Sequence, residues 1–254
     1  MKAFLLALSF LTIIPAYNKA AGEKEMADSL YFYPVVGFVI GGILVVISEI
    51  GRYLPLGLGA DALIIAAWIV LTGGLHLDGL MDTADGLFSG KERQRKLEIM
   101  RDSRVGAMGV ISLTVVLLLK FSFVAAFPYP DRIWVLLLAP VVGRCVMVYA
   151  ISFYPYAREG SGLGRCFGEN AGKNKFFAAL TILLLGALAA GAGKALLFAL
   201  AAVLLSMVIV KHIAGILGGL TGDTYGAVSE IAEAIFLIIS LAGMAGYYAG
   251  YYII

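Results

Sequence analysis

Residues 73–86 read Gly-Gly-Leu-His-Leu-Asp-Gly-Leu-Met-Asp-Thr-Ala-Asp-Gly. An apolar run, residues 60–77, leads into them, and three carboxylates, Asp78, Asp82 and Asp85, gather where it ends. Their spacings of four, three and seven put all three within roughly a 60° arc of a helix, at about 100° per residue. Three like charges on one stripe repel one another, and a cation between them removes that cost. Oxygen-only ligands suit Mg²⁺, Mn²⁺ or Ca²⁺ rather than zinc. Gly79 and Gly86 allow another backbone to approach closely. His76 would point about 160° away from Asp78 on a regular helix. It joins the acids only if the backbone is irregular near Gly73-Gly74 or Gly79.

The apolar run is one of several. Of 254 residues, 61% are hydrophobic and 14% charged, where a soluble domain carries about 25% charged residues. The chain therefore reads as an all-α, polytopic membrane bundle, a single transmembrane catalytic domain over residues 1–254. Seven spans are expected near 29–50, 60–77, 107–127, 131–153, 176–191, 195–217 and 229–252. The fifth and sixth are separated by the glycine turn at Gly191-Ala192-Gly193-Lys194. The first fifteen residues, MKAFLLALSFLTIIP, have the outline of a signal peptide but are short for a span. Beside a polytopic body they read as a retained interfacial or re-entrant helix ending at Pro15, with a polar linker from Ala16 to Asp28. Cys145 and Cys166 fit no CxxC spacing and imply neither a disulfide nor a zinc site.

Charge in the loops gives an orientation. The segments near 16–28, 78–106, 154–175 and 218–228 fall on one side and hold twelve Lys and Arg residues, against Arg52, Arg132 and Lys194 on the other. The positive-inside rule makes the richer side cytoplasmic, and every acidic motif lies there. Tyr247, Tyr248, Tyr251 and Tyr252 would form an aromatic belt at the opposite interface.

Two further groups carry chemistry. Arg101-Asp102-Ser103-Arg104-Val105-Gly106 sets two arginines around an acid and a hydroxyl ahead of a new helix, which suits phosphate or an anionic lipid surface. Gly222-Asp223-Thr224-Tyr225-Gly226 leads to Glu230 and Glu233. Asp223 and Glu230 share a helical face, and acids entering a span are functional by default when they face a bundle interior. Two carboxylate groups on one side suit one or two metal ions bridging a pyrophosphate. Arg144, inside the fourth span, requires a partner, either substrate phosphate or one of these acids. Lys120 is read as snorkelling to an interface. The loop 154–175, with Gly160, Gly162, Gly164, Arg158 and Arg165, is a weaker candidate for closing over a substrate.

Three of these segments carry a resemblance. HLDGLMDTADGL (76–87), LEIMRDSRVGAMG (97–109) and GDTYGAVSEIAE (222–233), with FLTIIP (10–15) and Gly143-Arg144, are similar to the cobalamin synthase family, the adenosylcobinamide-GDP ribazoletransferases. The resemblance runs nearly end to end. It implies a multi-pass transferase of the bacterial or archaeal cytoplasmic (inner) membrane that uses Mg²⁺ and performs the last assembly step of cobalamin biosynthesis. A ribose hydroxyl of α-ribazole, or of its 5′-phosphate, attacks the cobinamide-side phosphorus of adenosylcobinamide-GDP. GMP leaves, and adenosylcobalamin or its 5′-phosphate forms. On that basis Asp78, Asp82, Asp85, Asp223 and Glu230 are expected around metal and pyrophosphate. Arg101, Arg104 and Arg144 are expected on phosphate, and Asp82, His76 and Arg104 in the catalytic step. Which group is the base stays open between the acids and His76. The lipid bilayer is an expected partner, nucleic acid is not, and an oligomer is left open. Asp82-Thr-Ala-Asp85-Gly86 also matches the opening of the CDP-alcohol phosphotransferase motif, whose later residues are missing. A cation-coupled transporter is the remote alternative, disfavoured because its acids belong near the midplane.

Overall fold

The computed structural model describes residues 1–158 and 171–245. Expectations for the glycine loop, Arg165, Cys166 and the C-terminal tyrosines fall outside the described residues.

The chain folds around α8 (Asp131–Phe153). Every residue of it from Trp134 to Ile151 is buried except Leu137. An apolar helix covered all round is the core of a bundle rather than its lipid face. The helix α3 (Tyr33–Arg52) crosses it on glycines. A methyl on Gly37 would stand 2.7 Å from the Val141 Cα, and one on Gly41 would overlap the Leu137 carbonyl. Only glycine lets the two backbones come that close.

The helical run Lys173–Leu217 is 45 residues long, about 67 Å if straight, yet both its ends sit at one end of α8. Phe176 packs on Tyr149 and Phe153, while the Leu217 carbonyl is tied to Ala157 through Arg93. The run therefore folds back into two arms, α9 (Lys173–Gly191) and α10 (Gly193–Leu217). Its bend lies against Trp134 at the other end of α8, where the glycine turn was expected. The last long helix, α11 (Gly222–Gly243), begins seven residues before the expected 229. Thr221 and Thr224 form a reciprocal cap that starts it there: the Thr224 N–H donates to the Thr221 Oγ1 and the Thr221 N–H to the Thr224 Oγ1.

Among the described residues, six helices are long and apolar enough to cross a membrane, or seven if a broken pair counts as one span. That pair is α4 (Leu58–Leu71) and α5 (Leu75–Leu87), bent by 86°. The expected span to residue 77 ends instead at Leu71, because Gly73 and Gly74 take left-handed φ of 62° and 71°, a conformation costly for any other residue. The N-terminal helix α1 (Lys2–Leu11) is too short to span and stops before the expected Pro15. The Ile13 N–H that follows it donates to the Leu71 carbonyl at 2.9 Å, pinning the chain against the break. The expected linker contains a short helix, α2 (Glu23–Ser29). A second short helix, α6 (Arg93–Ile99), precedes α7 (Ala107–Ala126).

Charge segregates as the loops implied. Arg52 stacks on Tyr129 at 4.5 Å, Arg132 pairs with Asp61, and Lys194 lies 3.4 Å from Asp131, all at the end of the bundle that holds the α9–α10 bend. The acidic stretch and the arginines of residues 91–104 and 158 occupy the other end.

Candidate active site

The turn at Gly73-Gly74 lays α5 across the end of the bundle, against α11. The fit is again glycine on backbone. A methyl on Gly79 would stand 2.6 Å from the Asp223 carbonyl oxygen, and one on Gly226 3.0 Å from the His76 Cα. Asp78 and Asp82 of α5 thus face Asp223 of α11, and Asp82 feels the charges of Asp223, Asp78, Arg158 and Asp85. Asp78 is exposed and Asp82 partly exposed, so both are open to a ligand. Asp78 also lies in the first turn of its helix, where the dipole favours an anion.

Asp85, third on the stripe, has another partner. Its Oδ2 accepts the Gly106 N–H at 2.7 Å and its Oδ1 the Gly109 N–H at 2.8 Å. It caps the N-terminus of α7, satisfying amides with no partner inside the helix. The same glycines leave no room for a side chain, since a methyl on Gly109 would stand 2.6 Å from the carboxylate.

Asp223 is held by Arg158, whose Nη2 donates to Oδ2 at 2.6 Å and to the Met100 carbonyl at 3.2 Å. The Arg158 Nε is buried without an acceptor among the described residues. Two hollows meet at this pair. One, about 210 Å³, is lined by His76, Asp78 and Asp223 with Phe10, Tyr33, Met147 and Tyr225 among the apolar walls. The other, about 400 Å³, is lined by Arg93, Arg101 and Arg158 with Gln94, Glu98 and Tyr156. Arg101 thus reaches the site. Arg104 stands apart, clamped in solvent to Asp102 with Nη2 2.5 Å from Oδ2. That hydrogen bond holds the Asp102 carboxyl down at about 2.

Beneath the site lies a buried polar chain. Lys120 of α7 donates to Glu230 at 2.5 Å and to Glu233, its ammonium 4.3 Å from the Trp68 ring centroid. Arg144 of α8 donates to Glu233 and, at 3.2 Å, to the His76 Nδ1. Two cations and two anions sum to zero, the condition for keeping such charges inside a bundle. Several expectations are redirected here. Lys120 is buried and does not snorkel. Glu230 stands with Lys120 and away from the aspartates. Arg144 pairs with the acid Glu233, one of the two kinds of partner expected for it. His76 is reached because the backbone does break at Gly73-Gly74, and it is buried. Among the described residues, no three His, Cys, Asp or Glu side chains form a ready-made metal cage.

Arg158 is the functional candidate that residue patterns undervalued. In sequence it is one charge of a glycine-rich loop, and its position is set by the short backbone pairing of Tyr156 with Leu220, which sequence does not show. Lys120 and Glu233 carried a plainer signal, charges too deep in a span to lack partners.

Membrane-length helices, with carboxylates and arginines gathered around two hollows at one end, define a polytopic, all-α membrane protein. Comparison narrows the class. The family model described as cobalamin-5-phosphate synthase matches residues 3–241, and the chain belongs to that family. It is 49% identical over 236 residues to the adenosylcobinamide-GDP ribazoletransferase of Desulforamulus reducens, covering 92% of this chain and 94% of that one. Proteins of the same description from Acetivibrio thermocellus and Roseiflexus sp. are 42% and 44% identical, covering 94% and 91% of this chain and 97% and 86% of theirs. No solved structure matches.

Proposed function

We propose that this protein is a transferase joining adenosylcobinamide-GDP to α-ribazole, or to its 5′-phosphate, with release of GMP. The carrying observation is the meeting of an acid-rimmed hollow and an arginine-lined one across the Arg158–Asp223 pair. Reaction at a pyrophosphate needs positive charge on its oxygens, an oriented hydroxyl and a place for the leaving phosphate. In this reading Arg101 and Arg158 receive the GDP side, and the Arg158 Nε–H, which meets no acceptor among the described residues, takes a phosphate oxygen. Asp78 and Asp82 orient the attacking ribose hydroxyl, and one of them receives its proton.

Mg²⁺ suits this donor set. It takes one or two carboxylates and fills its shell with water and substrate oxygens, so a closed cage is not required. Asp78, Asp82 and Asp223 would hold it, and it would neutralise charge on the pyrophosphate. Asp85 and Glu230 enter this proposal as supports: one positions α7, the other balances Lys120. Arg144 acts through His76, and Arg104, clamped to Asp102 in solvent outside the hollows, attracts incoming phosphate. The positive charge around the site makes its side the cytoplasmic face of the bacterial inner membrane, and residues 1–254 act as one catalytic domain.

The test is purified protein in lipid nanodiscs with Mg²⁺, adenosylcobinamide-GDP and α-ribazole. GMP release with cobalamin formation supports the reading, and no GMP sinks it. The family match does not favour the alternatives. CMP release from a CDP-alcohol, or ion flux without nucleotide, would revive them.

A further inference from the structure

We propose that the apolar hollow takes the fused aromatic base of the ribazole, and that His76 holds this base by donating a hydrogen bond from Nε2–H. This rests on the ribazoletransferase reading and names the subsite for one of its substrates.

Arg144 decides which nitrogen of His76 carries the proton. A guanidinium has five N–H donors, no acceptor, and does not deprotonate in proteins. Its Nη2 lies 3.2 Å from the His76 Nδ1, so Nδ1 must be the acceptor and carries no proton. In a neutral imidazole the proton is then on Nε2. Arg144 cannot swing away easily, because its Nη1 is bound to Glu233 and Glu233 to Lys120. The buried chain therefore fixes which histidine nitrogen donates. The His76 Nε2 has no hydrogen bond to any described residue, and His76 lines the hollow.

The rest of the hollow suits a particular ring. Phe10, Tyr33, Met147 and Tyr225 wall it, and Phe10 and Tyr33 are already stacked at 6.4 Å. Its volume of about 210 Å³ is below the 300–1,000 Å³ of sites for drug-sized ligands, so it admits one flat bicycle and not a whole nucleotide. A benzimidazole riboside is apolar except for one ring nitrogen. That nitrogen accepts a hydrogen bond, and the ring has no N–H. One donor in an apolar slot is its complement. Guanine, with several donors and acceptors, would leave most of them unpaired there. With the base seated on His76, the ribose lies toward Asp78 and Asp223 at the rim. His76 is thus a donor to substrate and not the general base that had been one option.

The chain has two histidines, and His212 on α10 is exposed, so ring-¹⁵N histidine labelling of the full chain in nanodiscs gives two separable signals. Expected is a neutral Nε2–H ring for His76, whose Nε2 signal moves when α-ribazole alone is added while that of His212 does not. An Nδ1–H tautomer, an imidazolium, or no movement at saturating ribazole overturns the proposal. A second measurement uses a ribazole analogue with C–H in place of the free ring nitrogen. Loss of one hydrogen bond should raise its KM about tenfold with wild type, and His76→Ala should treat analogue and ribazole alike. Unchanged discrimination by His76→Ala refutes the donor role. If neither ribazole binding nor GMP release occurs, the ribazoletransferase reading itself has failed, whatever the tautomer.

Discussion

Asp82 and Asp85 are three residues apart on one helical stripe, yet the structure gives them opposite work, and replacing each by alanine separates the two. Asp85 accepts two backbone N–H groups of α7, at 2.7 and 2.8 Å. Hydrogen bonds to a charged group contribute about 1.5–3 kcal/mol each, and loss of a helix cap costs about 0.5–2 kcal/mol. Because water can enter this partly exposed site and recover some of that, Asp85→Ala should lose roughly 2–4 kcal/mol. For a chain of this size that lowers the melting temperature by about 5–15 °C. Asp85→Asn should fall between, since its single oxygen serves only one of the two amides. Asp82→Ala removes a charge from among Asp78, Asp85 and Asp223 and should leave melting unchanged or slightly higher while abolishing GMP release. Tryptophan-fluorescence melts in detergent, run beside the GMP assay, read both quantities on each variant. If Asp85→Ala melts like wild type yet is inactive, Asp85 is a ligand and the cap is incidental. Normal turnover in Asp82→Ala would remove the metal assignment.

Lys120→Met leaves Glu230 and Glu233 facing each other in the core and should cost about 3–5 kcal/mol, seen as a lower melting temperature. Adding Glu230→Gln to it should restore part of the loss, and a double variant no better than the single would mean the charges are not coupled. Chelation should stop GMP release reversibly, and Mg²⁺ should raise the melting temperature of wild type but not of Asp82→Ala. Arg104→Ala should raise the KM for adenosylcobinamide-GDP without altering melting. Its partner Asp102 has its carboxyl held at about 2, below the usual 3.8. A depressed carboxyl contributes above its unfolded value and loses that contribution only as pH falls through the folded one. The Arg104 effect on KM should therefore not vary with pH across the neutral range, and a slope there would count against the clamp.

The apolar runs were legible because hydropathy is a local property. Residues 131–153 coincide with the fourth expected span, and the glycine turn divides the long run at the residues that suggested it. Boundaries failed where a nonlocal or capping interaction sets them. Leu75 and Leu77 are as apolar as the residues before Leu71, yet the helix breaks, because two glycines accept left-handed angles and the Ile13 amide occupies the Leu71 carbonyl. Spacing placed three aspartates on one stripe, and they share one helix. It could not show that the third looks sideways to Gly106 and Gly109, a choice made by where α7 starts.

The buried charges show the same limit more sharply. Lys120, Arg144 and the pair Glu230 and Glu233 come from three helices, two of them consecutive and the third about 80 residues further along. Each by itself only announces that it needs a partner. Charge balance narrows the answer further than it first appears. Two cations and two anions can pair in more than one way, but Glu233 alone touches both cations, and Arg144 alone reaches the cavity wall through His76. Glu233 is therefore the member whose loss isolates both sides at once. Glu233→Gln should unseat Arg144 as well as Lys120, while Glu230→Gln leaves Arg144 bound to Glu233 and His76 oriented. If the buried chain serves the site and not stability alone, ribazole KM should rise in the first variant and hold in the second. Equal KM in variants of equal stability would show that the network only balances charge.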